Sequence, residues 1–316
     1  MSILWEKTVR SREGYSFVVS RSSRRISKYE YMSGENLKPW FQGDGAFYLY
    51  QSGNNQTESY GVNYIATVDS YHLPGTNNYS GGTTLDTYGT SAMQLGDDNA
   101  YAAKQLGLLP DDFVVYKNCN ANKSWFMFED EIVVVGSNII DDLKRGVTTT
   151  LDNPMSLESE NVVLEGKSKD SNDISILENG KYNNLDWISY STDSHNSNIG
   201  YYFQNSKEIN INNELRTANL RDIRQANSDK EVTTQFTTLT YNHSSGEEKD
   251  SYAYVILPNF DKEMTSNYAE NPKINILVNS ESVHALEQTD LNITGYNFFD
   301  NEERTVGNIT SFNQAS

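Results

Sequence analysis

The stretch SWFMFEDEIVVVGSNI, residues 124–139, leaves almost no room for a solvated face. Trp125, Phe126, Met127 and Phe128 lead into Glu129 and Asp130, and Ile132, Val133, Val134 and Val135 follow. Aromatic and β-branched residues at consecutive rather than alternate positions predict a hairpin, with Glu129 and Asp130 at its turn and both faces of its strands covered. A hairpin of that kind belongs in the middle of stacked sheets. Further strand-like runs bounded by Gly, Asn and Asp occur at 14–20 (GYSFVVS), 45–52 (GAFYLYQS), 111–118 (DDFVVYKN), 147–153 (VTTTLDN), 199–205 (IGYYFQN), 231–243 (EVTTQFTTLTYNH) and 251–259 (SYAYVILPN). No stretch keeps the three-to-four spacing of an amphipathic helix over three turns. The expected fold class is therefore all-β, a large multi-sheet antiparallel sandwich. No repeat of fixed period is present, which argues against propellers and solenoids. Residues 154–182 and 206–230 read as long surface connections with short strands. Residues 1–275 are expected to form the sandwich. The polar segment 261–316 reads as leading into a further small β unit, with 276–316 either the end of the sandwich or the start of a truncated C-terminal β-domain.

Only 36% of the 316 residues are hydrophobic, but 21 Tyr, 12 Phe and 4 Trp bury large areas from few positions. No apolar run approaches the roughly 20 residues that span a bilayer, and the first residues, MSILWEKTVRSREG, lack the apolar core of a secretion signal. The abrupt passage from MSILW into charged residues suggests a start inside a longer natural chain. Cys119 is the sole cysteine, so the chain holds no internal disulfide and no cysteine-based zinc site, and its thiol reads as core filler. The six N-x-[ST] matches, Asn55 and Asn292 among them, carry no weight in so Asn-rich a chain.

Charge is unevenly distributed. Residues 1–40 carry eight Lys or Arg against four acids, whereas the other 276 residues carry −22 of a total of −18. An acidic body disfavours nucleic acid and anionic membrane as partners, because both need a basic footprint. A polyanionic ligand would meet the N-terminal end.

A self-sufficient enzyme needs a nucleophile, a metal site or an acid/base pair. His72, His195, His243 and His284 are scattered, and no zinc, P-loop, dinucleotide or nucleophile-elbow motif is present. The pairs Asp97-Asp98, Asp111-Asp112 and Asp141-Asp142 do not match a calcium loop and read as solvated turns. Neither cofactor nor metal is expected.

The stretch GENLKPWFQGDGAFYLY, residues 34–50, sets Glu35 and Asn36 ahead of a Gly43-Asp44-Gly45 reversal. Trp40 and Phe41 before the turn, and Phe47 and Tyr48 after it, would clamp both arms to the core. A carboxylate and an amide fixed beside Arg25 and Lys38 can orient guanidinium groups or sugar hydroxyls. An ordinary turn with Glu35 paired to Arg25 or Lys38 is the simpler reading of the same spacing.

The blocks YEYMSGENLKPWFQGDGAFYLY (29–50), NYIATVDSYHLPGT (63–76), KSWFMFEDEIVVVGSNI (123–139), VTTTLDN (147–153), NIGYYF (198–203) and DSYAYVILPN (250–259) resemble, in order and spacing, the β-domain of family 8 polysaccharide lyases. These are hyaluronate, chondroitin AC and xanthan lyases. The resemblance runs from about residue 12 to 275. It implies a galactose-mutarotase-like super-sandwich that follows an α/α toroid, and an extracellular enzyme acting on an acidic polysaccharide by β-elimination. It implies that Glu35 braces a catalytic arginine of the toroid and that Asn36 is the neighbouring cleft residue; Arg25 and Lys38, from the local excess of basic residues, are expected to bind substrate. The family's catalytic Asn, His, Tyr and Arg come from the toroid and have no counterpart here, so the chain is expected to be inactive alone. Two departures leave hyaluronan, chondroitin and xanthan-type chains all open. Ile65-Ala66 stands where hyaluronate-lyase-like members tend to read Trp-Pro, and PGTNNYSGGTT (74–84) replaces a shorter P-G-T-T. The competing expectations are a stand-alone carbohydrate-binding or adhesion module, and a complete enzyme using His72 with Tyr71 or Tyr64.

Overall fold

The computed structural model describes residues 2–4, 7–25, 43–51, 79–96, 99–108, 119–193, 197–205, 207–222, 224–243 and 248–311. The expected strand at 111–118 lies outside them. Strands β1 (Ser2–Leu4), β2 (Lys7–Arg12), β3 (Tyr15–Ser20) and β4 (Phe47–Gln51) form a four-stranded sheet in chain order. Strands β5 (Ser80–Leu85) and β6 (Tyr88–Leu95) are followed by the short helix α1 (Asn99–Gln105), β7 (Asn120–Met127) and β8 (Ile132–Ile140). The chain then alternates between two sheets. Strands β9 (Val147–Asp152) and β10 (Met155–Leu157) enter a five-stranded sheet, and β11 (Val162–Ser168) and β12 (Ile174–Ile176) return to the sheet of β5–β8. Strand β13 (Gly180–Tyr182) joins the former; β14 (Leu185–Thr192) and β15 (Asn198–Phe203) join the latter. Strands β16 (Ile209–Asn219) and β17 (Glu231–His243) complete the five-stranded sheet, and β18 (Asp250–Pro258) completes a nine-stranded one ordered β12-β11-β14-β15-β18-β8-β7-β6-β5. Helix α2 (Lys262–Glu270) leads to a three-stranded sheet of β19 (Ile274–Asn279), β20 (Val283–Gln288) and β21 (Ile293–Phe298), and β22 (Arg304–Val306) pairs with β23 (Ile309–Ser311). Every pairing among the described strands is antiparallel, so the fold is the all-β super-sandwich expected.

The doubly apolar hairpin is β7–β8, and it lies inside the nine-stranded sheet. Successive side chains of a strand point to opposite faces, so Trp125, Ile132 and Val134 face one layer while Phe126, Val133 and Val135 face another. The first face packs on Phe17 and Val19 of the four-stranded sheet and on Leu151, Ile211, Leu239 and Tyr241 of the five-stranded sheet. The second packs on Tyr268 of α2 and Leu286 of β20. Each buried aromatic of this kind contributes on the order of 1.5–3 kcal/mol. Close approach depends on two small residues. A Cβ on Gly200 would lie 2.3 Å from Thr265 Oγ1 of α2, and one on Gly295 would lie 2.6 Å from Phe126. Helix α2 starts at Asp261, whose carboxylate accepts from the Met264 amide at 2.9 Å.

The reading of 206–230 as a surface connection with short strands is corrected by β16, which runs 11 residues and buries Ile209 and Ile211. Its sequence, ININNELRTAN, hides the alternation because only two large apolar residues mark the inward face. At 154–182 the strands β10, β12 and β13 are three residues each, as expected of a connection, with the longer β11 between them.

Candidate functional site

The segment that carries Glu35, Asn36 and Lys38 lies outside the described residues, but its two anchor points are described. The Ser20 amide donates to Ala46 O at 2.9 Å and the Gly45 amide donates to Ser20 O at 3.0 Å, so the chain leaves β3 and re-enters β4 at one place. Residues 43–45 turn as expected, and Gly45 has φ +82°, a left-handed conformation that glycine adopts without strain. It also lies against Trp125, where a Cβ would be 2.9 Å from the indole. Lys123 Nζ donates to Asp44 O at 3.0 Å. Burial lowers the proton affinity of Lys123, and Asp44 partly restores it.

The opposite anchor is built on two arginines. Arg21 is 3% exposed; its Nη1 donates to Ser80 Oγ at 2.9 Å and to Gly81 O at 2.8 Å, and its Nη2 donates to Thr8 Oγ1 at 3.3 Å. Arg25 is exposed, and its Nη2 donates to Ser80 O at 2.6 Å. Both guanidinium groups therefore reach β5, the edge strand formed by the SGGTT end of the expanded PGTNNYSGGTT stretch. Ile65, Ala66 and residues 74–78 lie outside the described residues, as do His72, Tyr71 and Tyr64.

One part of the expected clamp is corrected. Phe47 packs inward, with its ring 5.3 Å from that of Phe17, whereas Tyr48 stacks on Tyr50 at 6.3 Å on the opposite face of β4. The strand period of two forbids adjacent residues from sharing a face.

A second constellation escaped the sequence reading. His243 Nδ1 lies 2.8 Å from Asp250 Oδ2, and its Nε2 lies 2.8 Å from Thr149 Oγ1. Burial drives the imidazole toward its neutral form despite Asp250. In that form Nδ1–H donates to the carboxylate and Nε2 accepts the threonine hydroxyl proton. Burial raises Asp250, but hydrogen bonds from Lys207 and His243 outweigh it and hold the carboxyl below its usual range. Thr149 and His243 belong to the five-stranded sheet and Asp250 to the nine-stranded sheet, so this relay ties the two layers together. Residues spread from 149 to 250 leave no local signal that could have announced it.

Asp141 is held to about 2 by hydrogen bonds from Arg145 that outweigh its burial. Asp97, Asp98, Asp111 and Asp112 lie outside the described residues. Among the described residues no group of three His, Cys, Asp or Glu could hold a metal ion. Cys119 is half-buried, and burial pushes its thiol up, away from the reactive thiolate. No helix among the described residues is long and apolar enough to cross a membrane.

Comparison with known proteins decides the lineage of this fold. The family profile of the polysaccharide lyase family 8 super-sandwich domain matches residues 5–269. The chain belongs to polysaccharide lyase family 8. Within that family it is 32% identical to xanthan lyase of Bacillus sp. over 317 residues, covering 98% of this chain and 33% of that protein. It is 28% identical to hyaluronate lyase HylB of Enterococcus faecalis over 328 residues, covering 97% of this chain and 31% of that protein. The structure of a Paenibacillus xanthan lyase aligns with a TM-score of 0.77 at 32% identity, covering 96% of this chain and 29% of that one. The chain thus spans about a third of the length of the curated family 8 relatives it matches.

Proposed function

We propose that this chain is the super-sandwich part of an extracellular lyase that cleaves a uronic-acid-containing polysaccharide by β-elimination, and that it lines one side of the substrate cleft. The family 8 match over residues 5–269 carries this reading. In the reaction, a base removes the proton α to the uronate carboxylate, the glycosidic C–O bond breaks, a C=C bond forms, and the leaving oxygen takes a proton. The groups that move those protons belong to a helical domain. The present chain contributes position: Glu35 braces an arginine of that domain and fixes its fork, while Asn36, Arg25 and Lys38 face sugar. The anchors at Arg21, Arg25, Lys123 and Gly45 support this role, because they pin both ends of the segment that carries Glu35 to rigid strands. Residues 1–275 act as the sandwich, and 276–316 as its end or as the start of a small C-terminal β-domain.

The test is absorbance of the unsaturated product with hyaluronan, chondroitin and xanthan. The chain alone is expected to be silent, and fusion to the helical domain of a family 8 relative is expected to restore cleavage. Turnover by the chain alone would assign a complete enzyme instead. Micromolar binding with no cleavage in either form would favour a binding module, for which the Tyr48–Tyr50 stack is a candidate platform. In the active fusion, Glu35→Gln is expected to lower turnover by about 10- to 100-fold with an unchanged circular dichroism spectrum. Full activity would remove Glu35 from the mechanism.

A further inference from the structure

Arg10 is 1% exposed, yet its guanidinium makes one hydrogen bond, from Nη2 to Glu129 O at 3.1 Å. Its Nε and Nη1 are closed to solvent and have no partner among the described residues. The hydroxyl of Tyr15, a residue 7% exposed, is likewise closed and unpartnered. The two residues lie on one face of the same hairpin. In the β2–β3 register Arg12 lies opposite Tyr15 and Arg10 opposite Phe17, so Arg10, Arg12 and Tyr15 share the inward face, with Tyr15 diagonal to Arg10. Diagonal neighbours lie within reach of long side chains.

The carboxylates nearby are committed elsewhere. Glu129 is bound by Arg12 and accepts from the Tyr88 hydroxyl at 2.8 Å. Glu131 accepts from Gln288 Nε2 at 3.1 Å and from the Tyr268 hydroxyl at 3.5 Å. Asp130 is exposed at the turn. Burial weakens the hold of Arg10 on its proton; Tyr15, Asp130 and Glu131 act against that effect without cancelling it, and Arg12 adds to it. A guanidinium cannot shed its charge in the ordinary pH range and has donors only. A buried cation with two idle donors, held only by one backbone carbonyl, is costly, so the site calls for an acceptor that carries negative charge.

We propose that one small inorganic anion, chloride in ordinary buffers, sits between the Arg10 guanidinium and the Tyr15 hydroxyl beneath the β7–β8 turn. A water molecule would accept from Arg10 but add no negative charge beside a cation that Asp130 and Glu131 offset only in part. A carbohydrate carboxylate is too large for donors that are sealed from solvent. The anion would lock the four-stranded sheet, from which the Glu35 segment departs, onto the central hairpin. Arg10 is far in sequence from residues 129–131, and this juxtaposition appears only in the folded chain.

The experiment is thermal unfolding of the full chain at fixed pH and ionic strength, with chloride or bromide exchanged for gluconate, which is too large to enter. A ligand bound only by the folded state raises the melting temperature with concentration once it exceeds its dissociation constant. Both halides are expected to raise it by several degrees over gluconate. Arg10→Met should abolish the difference and Tyr15→Phe should reduce it. Crystals grown in bromide should give an anomalous peak within hydrogen-bond distance of Arg10 and Tyr15. Equal melting temperatures in gluconate and halide, or a water molecule alone at that position, would overturn the proposal. Both measurements use the unaltered chain, so they decide the matter even if Arg10→Met does not fold.

Discussion

Asp152 is a carboxyl enclosed between two sheets. The Tyr201 hydroxyl donates to its Oδ2 at 2.7 Å, and the Asn153 amide donates to its Oδ1 at 2.7 Å. Burial nevertheless outweighs both bonds and pushes its pKa from 3.8 to about 6. Because the folded value lies above the unfolded one, its contribution is fully present below about pH 3.8 and is lost as pH rises through 6. A shift of that size corresponds to roughly 3 kcal/mol across the window. Asp152→Asn is expected to flatten the stability profile between pH 4 and 6, read from urea midpoints at closely spaced pH values. A profile unchanged by the substitution would mean that Asp152 is ionised at no cost. Nothing in VTTTLDN marks this carboxyl as buried, since a strand-end Asp before Asn ordinarily signals a solvated turn. The Glu35 motif was legible by resemblance, whereas the roles of Arg10, Arg21 and Lys123 were not. Their partners lie far along the chain, as with Arg21 and Ser80.

Strand β20 shows what an element needs beyond its pattern. Its inward residue His284 is wholly buried, and burial alone pushes its pKa down to about 3. Ser137 Oγ donates to Ser280 O at 2.8 Å, which leaves it to accept from His284 Nε2–H at 2.8 Å. Nδ1 then accepts from the Ser124 hydroxyl at 2.7 Å. This chain, with Asn122 donating to Glu281 O at 2.6 Å and Thr90 to Asn297 at 2.9 Å, rivets the three-stranded sheet to the nine-stranded one. His284→Leu would strand the buried Ser124 hydroxyl and is expected to cost about 1–3 kcal/mol. Urea unfolding would measure the cost, and amide exchange should rise across β19–β21 in particular. The sign with pH is opposite to that of Asp152. A histidine whose folded pKa is depressed adds stability that is complete above about 6.5 and declines as pH falls toward 3. At this scale the hairpin β7–β8 was plain in the sequence, because its apolar run admits only a doubly covered strand pair. Strand β16 was not, because Asn, Glu and Arg on its outward face dilute the pattern of Ile209 and Ile211.

The whole molecule is a layered body whose charge opposes the polymer proposed for it. Residues 41–316 carry −22, against a net +4 in residues 1–40. Repulsion from that body is screened beyond a Debye length of about 10 Å at 0.1 M salt. Binding of the isolated chain to hyaluronan is therefore expected to be weak at low salt and to strengthen, or at least not weaken, as salt rises. Titrations at increasing sodium chloride would check this, and a steep loss of affinity with salt would mean that the basic N-terminal residues dominate the encounter.

Composition and side-chain period determined the all-β class, the central hairpin and strands β3, β4, β15, β17 and β18, because a strand's burial is written into its own residues at intervals of one and two. Other strands, such as β5, β6 and β14, left no such mark. Tertiary structure alone decided which polar groups are buried, what they touch and how they titrate. Those properties depend on neighbours such as Arg10 and Glu129, or His284 and Ser124, that lie more than a hundred residues apart. No local pattern encodes a partner at that distance; only the stacking of the sheets brings the two together.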